Sequence, residues 1–363
     1  MQEFDIDRLL RFALEKKASD VHLRSQRPPL LRLRGSLTPL NAEPLGSETI
    51  ESIAQKMMSP YQRRIYDERL AVDLGYTPEG LDSRFRVAVY RQRGTPAITF
   101  RSIPHSLPTV SSLGLPQSIK VFTKRPQGLV LVTGPTGAGK STTLAAVINE
   151  INYRRAVHII TIEDPIEFVF EDNRASISQQ EIGVDTISFA NSLRSALRQD
   201  PDVIMVGEMR DPETISTAIT AAETGHLIFS TLHTNSAAQS INRIIDSFPP
   251  NQHDQIRLQL SQALLGIISQ RLINRDDVPG RIAAVEIMIN SPAIKEMIRI
   301  GEIKAIPDII SRSVDYYRMQ TMDQSLMALI ANRVISDKEG LAASQHPDDL
   351  KLSLTKLGIV QEI

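Results

Sequence analysis

The chain contains no cysteine. A disulfide framework and a cysteine-ligated zinc site are therefore both excluded, and the composition suits a reducing cytosol. Aromatic residues make up 5% of the 363 positions, which leaves few rings for stacking nucleic-acid bases. Net charge is −1, so no generally basic surface attracts a polyanion. No apolar run approaches the roughly 18 residues needed to span a bilayer. Glu3, Asp5, Asp7 and Arg8 interrupt the N-terminus where a secretory signal would be apolar. What is left is a globular protein, 41% hydrophobic and 23% charged, long enough for about two domains. Nucleic-acid binding and direct membrane insertion are not expected, and any membrane association runs through a partner.

The most specific stretch is Gly134-Pro135-Thr136-Gly137-Ala138-Gly139-Lys140-Ser141, followed by Thr142. It follows the apolar run Gly128–Thr133 and precedes a helical pattern with Leu144, Val147, Ile148 and Ile151 on one face. Strand, glycine loop and helix together make the G-x-x-x-x-G-K-[ST] pattern a phosphate site. The glycines let successive backbone N–H groups point at an anion, and the helix adds the positive end of its dipole. Lys140 reaches the β- and γ-phosphates, and Ser141 offers its hydroxyl to Mg²⁺. ATP and Mg²⁺ are the expected cofactors.

Three further apolar runs end in polar residues. His158–Ile162 leads to Glu163-Asp164-Pro165-Ile166-Glu167, Asp202–Val206 to Gly207-Glu208, and Leu227–Thr231 to Leu232-His233-Thr234. Continuous apolar strands separated by helices predict an α/β fold with a mainly parallel sheet covered on both faces. Ligands of such sheets gather at the carboxyl ends of the strands, where Lys140, Glu163, Glu167, Glu208 and His233 all fall. Mg²⁺ takes oxygen ligands, and hydrolysis needs a carboxylate to position or deprotonate water. Glu167 and Glu208 are favoured for metal and water over Glu163 and Asp164. His233 is placed to sense the γ-phosphate, whereas His226, at the start of its strand, suits a core hydrogen bond. Arg194, Arg198 and Arg210 default to solvated positions, with communication between subunits as the alternative.

The first hundred residues alternate helical and strand patterns, which predicts a small α+β domain over 1–101. Helices are expected at Phe4–Lys17 and Ser47–Tyr66. Strands are expected near 19–24, 30–35, 71–76, 83–90 and 97–101. Arg84, Arg86, Arg91, Arg93 and Arg101 lie on or beside these strands. They are either a solvated sheet face or phosphate ligands, within the subunit or across an interface, since guanidinium matches phosphate geometry. His22 is expected to be structural. Residues 102–116 are dense in Pro, Ser and Gly and mark an interdomain linker. The second domain then runs over 117–363.

Taken in order, these motifs resemble the secretion ATPases, and within them the twitching-motility branch that retracts type IV pili. The residues that carry the resemblance are Ala18–His22, Gly134–Ser141, Thr161–Glu167, Leu193–Asp202, Gly207–Asp211 and Thr224–Asn235. The resemblance implies a PAS-like N-terminal domain, a RecA-like C-terminal domain and a homohexameric ring. Nucleotide would sit between the domains, with Arg84, Arg86 and Arg101 approaching its phosphates. It also implies a cytoplasmic protein, peripheral at the inner membrane through a pilus platform protein and possibly working beside a paralogous ATPase. The short chain and lack of cysteine favour the retraction branch over extension and type II secretion relatives. One stretch departs from the branch. Where main retraction motors carry Ala-Ile-Arg-Asn-Leu-Ile-Arg-Glu, this chain has Ala293-Ile294-Lys295-Glu296-Met297-Ile298-Arg299-Ile300. Main motor, accessory motor and secretion or competence pilus ATPase stay open. A nucleic-acid translocase and a non-hydrolysing nucleotide-binding regulator are the rivals from other classes.

Overall fold

A computed structural model describes residues 4–81, 83–103 and 106–359. Pro104 and His105 of the expected linker, and Glu3, lie outside the described residues. The chain forms two compact units. One comprises Met1–Leu107, Ile162–Glu171 and Gln179–Ser192, and the other Pro108–Thr161, Asp172–Ser178 and Leu193–Ile363. Residues 162–171 and 179–192 thus belong to the first unit, including the last residues of the strands His158–Glu163 and Ser176–Glu181, whose earlier residues belong to the second.

The first unit holds six strands: β1 (Asp20–Arg24), β2 (Leu30–Leu33), β3 (Ser36–Pro39), β4 (Ala71–Tyr76), β5 (Phe85–Gln92) and β6 (Thr95–Ser102). They pair antiparallel in the order β3-β2-β1-β6-β5-β4. Alternation decides the faces: Phe85, Val87 and Val89 of β5 are buried and Arg86 points the other way. Phe85 meets Phe100 edge to face with ring centroids 6.3 Å apart. Asp5 caps the helix Ile6–Glu15, accepting from the Arg8 N–H at 2.9 Å. The single helix expected over 47–66 is two, Ser47–Met57 and Pro60–Arg69. Pro60 cannot donate to the preceding turn, and Ser59 with Gln62 forms a capping box that starts a new helix there.

The second unit is built on a sheet of β7 (Gly128–Thr133), β8 (His158–Glu163), β9 (Ser176–Glu181), β10 (Val203–Val206), β11 (Leu227–Leu232), β12 (Leu264–Asn274) and β13 (Arg281–Ile289). Their order is β13-β12-β7-β11-β10-β8-β9. The pairs β10–β11, β11–β7 and β12–β7 are parallel, and β13 is antiparallel to β12. Every residue of β7, β10 and β11 is buried, as the continuous apolar runs predict. The fold is therefore α/β with a mainly parallel sheet. The hairpin β12–β13 turns through Asp276-Asp277-Val278-Pro279-Gly280, a Pro-Gly turn signal, and its outer residues Ile273, Ile282 and Ala284 pack with Leu326, Leu350 and Leu354 of the C-terminal helices. No helix among the described residues is long and apolar enough to cross a membrane.

Candidate nucleotide site

In the second unit the phosphate loop joins the end of β7 to the helix Lys140–Arg154. Gly134 has φ +146°, and a Cβ there would collide with the carbonyl oxygen of Gln270 on β12. Gly139 has φ +85° at the helix N-cap. Both positions therefore require glycine, one for space and one for its left-handed backbone. Gln270 is buried and donates through Nε2 to the Ala138 carbonyl at 2.5 Å, which braces the loop from beneath. Lys140 is 8% exposed, and its ammonium donates to the carbonyls of Gly134 and Pro135 at 2.9 and 3.1 Å.

Two neighbouring strands deliver the other groups. Ser230 and Thr231 of β11 donate to the carbonyls of Val206 and Gly207, at 2.8 and 2.6 Å, which locks the ends of β10 and β11 together. Past those ends, the His233 ring stands 3.5 Å from Lys140 Nζ through Nδ1 and 3.6 Å from a Glu208 oxygen through Nε2. Glu208 also pairs with Arg210 at 2.7 Å. Lys140, His233, Glu208 and Arg210 thus form one cluster, as strand-end convergence predicts for three of them. His226 is half-buried and turns Nδ1 to the Ala221 carbonyl at 3.1 Å, a local bond where a core one was expected. Arg194 pairs with Glu213, and Arg198 donates to the Arg194 carbonyl at 3.1 Å.

The remaining candidates cluster within the first unit. The Glu167 N–H donates to Glu163 Oε2 at 3.4 Å, and Gln179 Nε2 donates to Glu163 Oε1 at 3.1 Å. A cis peptide joins Asp164 to Pro165. Arg86 pairs with Glu167 at 3.3 Å and with Asp73 at 4.0 Å. Arg84 pairs with Glu181, which also accepts the N–H groups of Gly75 and Ile166, each at 3.1 Å. Arg101 binds the buried Asp20 at 2.9 Å. Each of the three arginines therefore has an intramolecular carboxylate partner. Glu181 and Asp20 escaped the sequence reading because nothing local marks an acid whose partner lies 97 or 81 residues away. Gln270 had a signal that was not used, an amide inside the apolar run of β12.

Among the described residues no group of three or more His, Cys, Asp or Glu could hold a metal. Ser141 follows Lys140 at the start of the helix and Glu208 lies beside His233, so a hydroxyl and a carboxylate are available near the loop. That oxygen set fits Mg²⁺, which completes its shell with phosphate and water.

Residues 2–321 match the family of type II/IV secretion system proteins. The chain is 43% identical over 345 residues to the type IV pilus retraction ATPase PilT of Pseudomonas aeruginosa, covering 95% of this chain and 99% of PilT. It is 38% identical over 354 residues to the type IV pilus ATPase PilU of the same organism, covering 98% and 92%. Among solved structures, the pilus retraction motor PilT with bound ADP superposes with a TM-score of 0.87 at 43% identity, over 96% of this chain and all of that one. The Legionella pneumophila ATPase DotB matches with a TM-score of 0.84 at 28% identity, over 98% and 97%. On sequence, fold and site together, the chain belongs to the type II/IV secretion system protein family.

Proposed function

We propose that this chain hydrolyses ATP to power retraction of type IV pili. The observation that carries the reading is the meeting of Lys140, Glu208 and His233 past the ends of three neighbouring strands. That cluster sits in a chain 43% identical to a pilus retraction ATPase along nearly its whole length. The amides of the phosphate loop bind the β- and γ-phosphates. Lys140 exchanges the carbonyls of its own loop for phosphate oxygens. Glu208 orients the attacking water and takes its proton, and His233 contacts the γ-phosphate. Bound Mg²⁺, held by Ser141 and Glu208, would neutralise charge on the phosphates. Arg84, Arg86 and Arg101 serve phosphate only by exchanging their present carboxylate partners, and Arg86 is the most readily freed because its pair is exposed.

We assign the chain to a homohexamer on the cytosolic side of the inner membrane. Motion about residues 102–116 would pass work to a pilus platform protein. A second reading, as accessory motor, has its own observation. In the altered signature helix, Glu296 grips Arg299 in a bidentate pair at 2.6 and 2.8 Å, where main motors carry asparagine. Pilus retraction measured in a cell lacking this chain, with and without any sister ATPase, tests both. Loss of retraction in both backgrounds supports the main motor, loss only without the sister supports the accessory one, and normal retraction in both refutes the assignment.

A further inference from the structure

A polar row crosses the sheet of the second unit one residue before the phosphate loop. Thr133, Ser269 and Glu286 are register partners on β7, β12 and β13. All three are buried, at 0%, 0% and 8% exposure. The Thr133 hydroxyl donates to the Ser269 hydroxyl at 2.9 Å. Ser269 hydrogen-bonds the Glu286 side chain, and Glu286 Oε1 accepts the Ala237 N–H at 2.7 Å. The other charge acting on Glu286 is the acid Asp323, and among the described residues no cation pairs with it; burial pushes its carboxyl above the usual range. A carboxylate taken out of water with no counter-charge is costly, and an apolar side chain would fill the space without that cost.

What the carboxylate holds is the start of the helix Ala237–Ile245. Only Thr234, Asn235 and Ser236 separate that anchor from His233. Thr234 and Ser236 are themselves tied to the helix, by a 2.6 Å bond to Ser240 and by the cap on Gln239. The short segment therefore has one end fixed by Glu286 and the other presenting His233 beside Lys140.

We propose that Glu286 is a positioning residue for ATP hydrolysis: by accepting the Ala237 N–H and joining, through Ser269, to Thr133, it sets the His233 segment against the phosphate loop. This rests on the ATPase reading above. The test uses the full purified chain and measures phosphate release, affinity for a fluorescent ATP analogue, and thermal melting. In Glu286→Leu, turnover falls about tenfold or more, because small misplacement of a reacting group is costly. Analogue affinity stays within about threefold, so the loss is in kcat and not in binding. Glu286→Gln keeps an acceptor for the amide and restores turnover. If Glu286→Leu does not fold, Ser269→Ala cuts the link to Thr133 with little change of volume and lowers kcat at unchanged melting temperature. Wild-type turnover in whichever of these two variants folds overturns the inference. So does parallel loss of turnover, affinity and melting temperature in both Glu286 variants. Absence of turnover in the wild-type chain overturns the ATPase reading and this inference together.

Discussion

Glu181 in the first unit and Glu286 in the second are both carboxylates withdrawn from water, but they are held differently. Glu181 faces the Arg84 guanidinium and two backbone N–H groups. Glu286 faces one backbone N–H and a serine hydroxyl, with a second acid nearby. In the first unit charge answers charge, and the result is an anchor that ties β4, the residue before β5 and the Pro165 turn to Glu181. In the second, a bare acid sits in a row leading to the phosphate loop. An ion pair resists disruption from either side, whereas an acid held by dipoles responds to small shifts of those dipoles. The first arrangement suits a scaffold and the second suits a site.

The largest expected effect comes from breaking the charged anchor. Arg84→Ala leaves Glu181 buried and unpaired, which costs about 3–5 kcal/mol; a urea titration should show the loss as a lower midpoint. If Arg84 is a phosphate ligand only, nucleotide affinity falls and the midpoint stays. Next comes Gly134→Ala, which forces a methyl group onto the Gln270 carbonyl and strains a left-handed backbone. Stability should fall by about 1–3 kcal/mol, with nucleotide affinity lost as well.

Acid titration separates the units further, because one buried and one half-buried group shift in opposite senses. The Glu286 carboxyl is raised, first by burial and then by Asp323, against the hydrogen bonds of Ala237 and Ser269. Its contribution to stability is full below the unfolded value of about 4.3 and is lost as pH rises through the folded one. The His22 imidazole is lowered, first by burial and then by Arg32, Arg24 and Arg101, against Asp20. Its contribution is present above about 6.5 and is lost as pH falls through the folded value. Wild type should therefore lose ground to Glu286→Gln as pH rises, and to His22→Gln as pH falls. Urea midpoints across the pH range would read both trends, and equal slopes in wild type and variant would refute the corresponding assignment. The smallest effect is expected at Arg86. Its pair with Glu167 is exposed on both sides, so Arg86→Ala should change stability by less than about 1 kcal/mol. A loss of ATP turnover beyond that would mark the arginine as a phosphate ligand.

The same contrast explains what the sequence made legible. Lys140 and its glycines are contiguous, and their context of strand and helix is local, so the loop could be read directly. Glu208 and His233 could be placed because each ends an apolar run, and parallel sheets gather such ends. The arginines could be listed but not assigned, since their partners Glu181, Glu167 and Asp20 are remote in sequence. The hairpin of β12 and β13 was not foreseen, and with it Gln270 and Glu286 were missed. The signal was present: the adjacent Ser269 and Gln270 in Leu264–Asn274 and the lone Glu286 in Ile282–Ile289 interrupt strands that burial would otherwise keep apolar. The break at Pro60 was equally visible, and the helical periodicity on either side masked it.

The most direct test of the account is phosphate release from ATP with magnesium, comparing the purified chain with its Lys140→Ala variant. The account predicts steady turnover by the wild type and background release by the variant, with both chains folded. Equal release from the two, or none from the wild type, would contradict it.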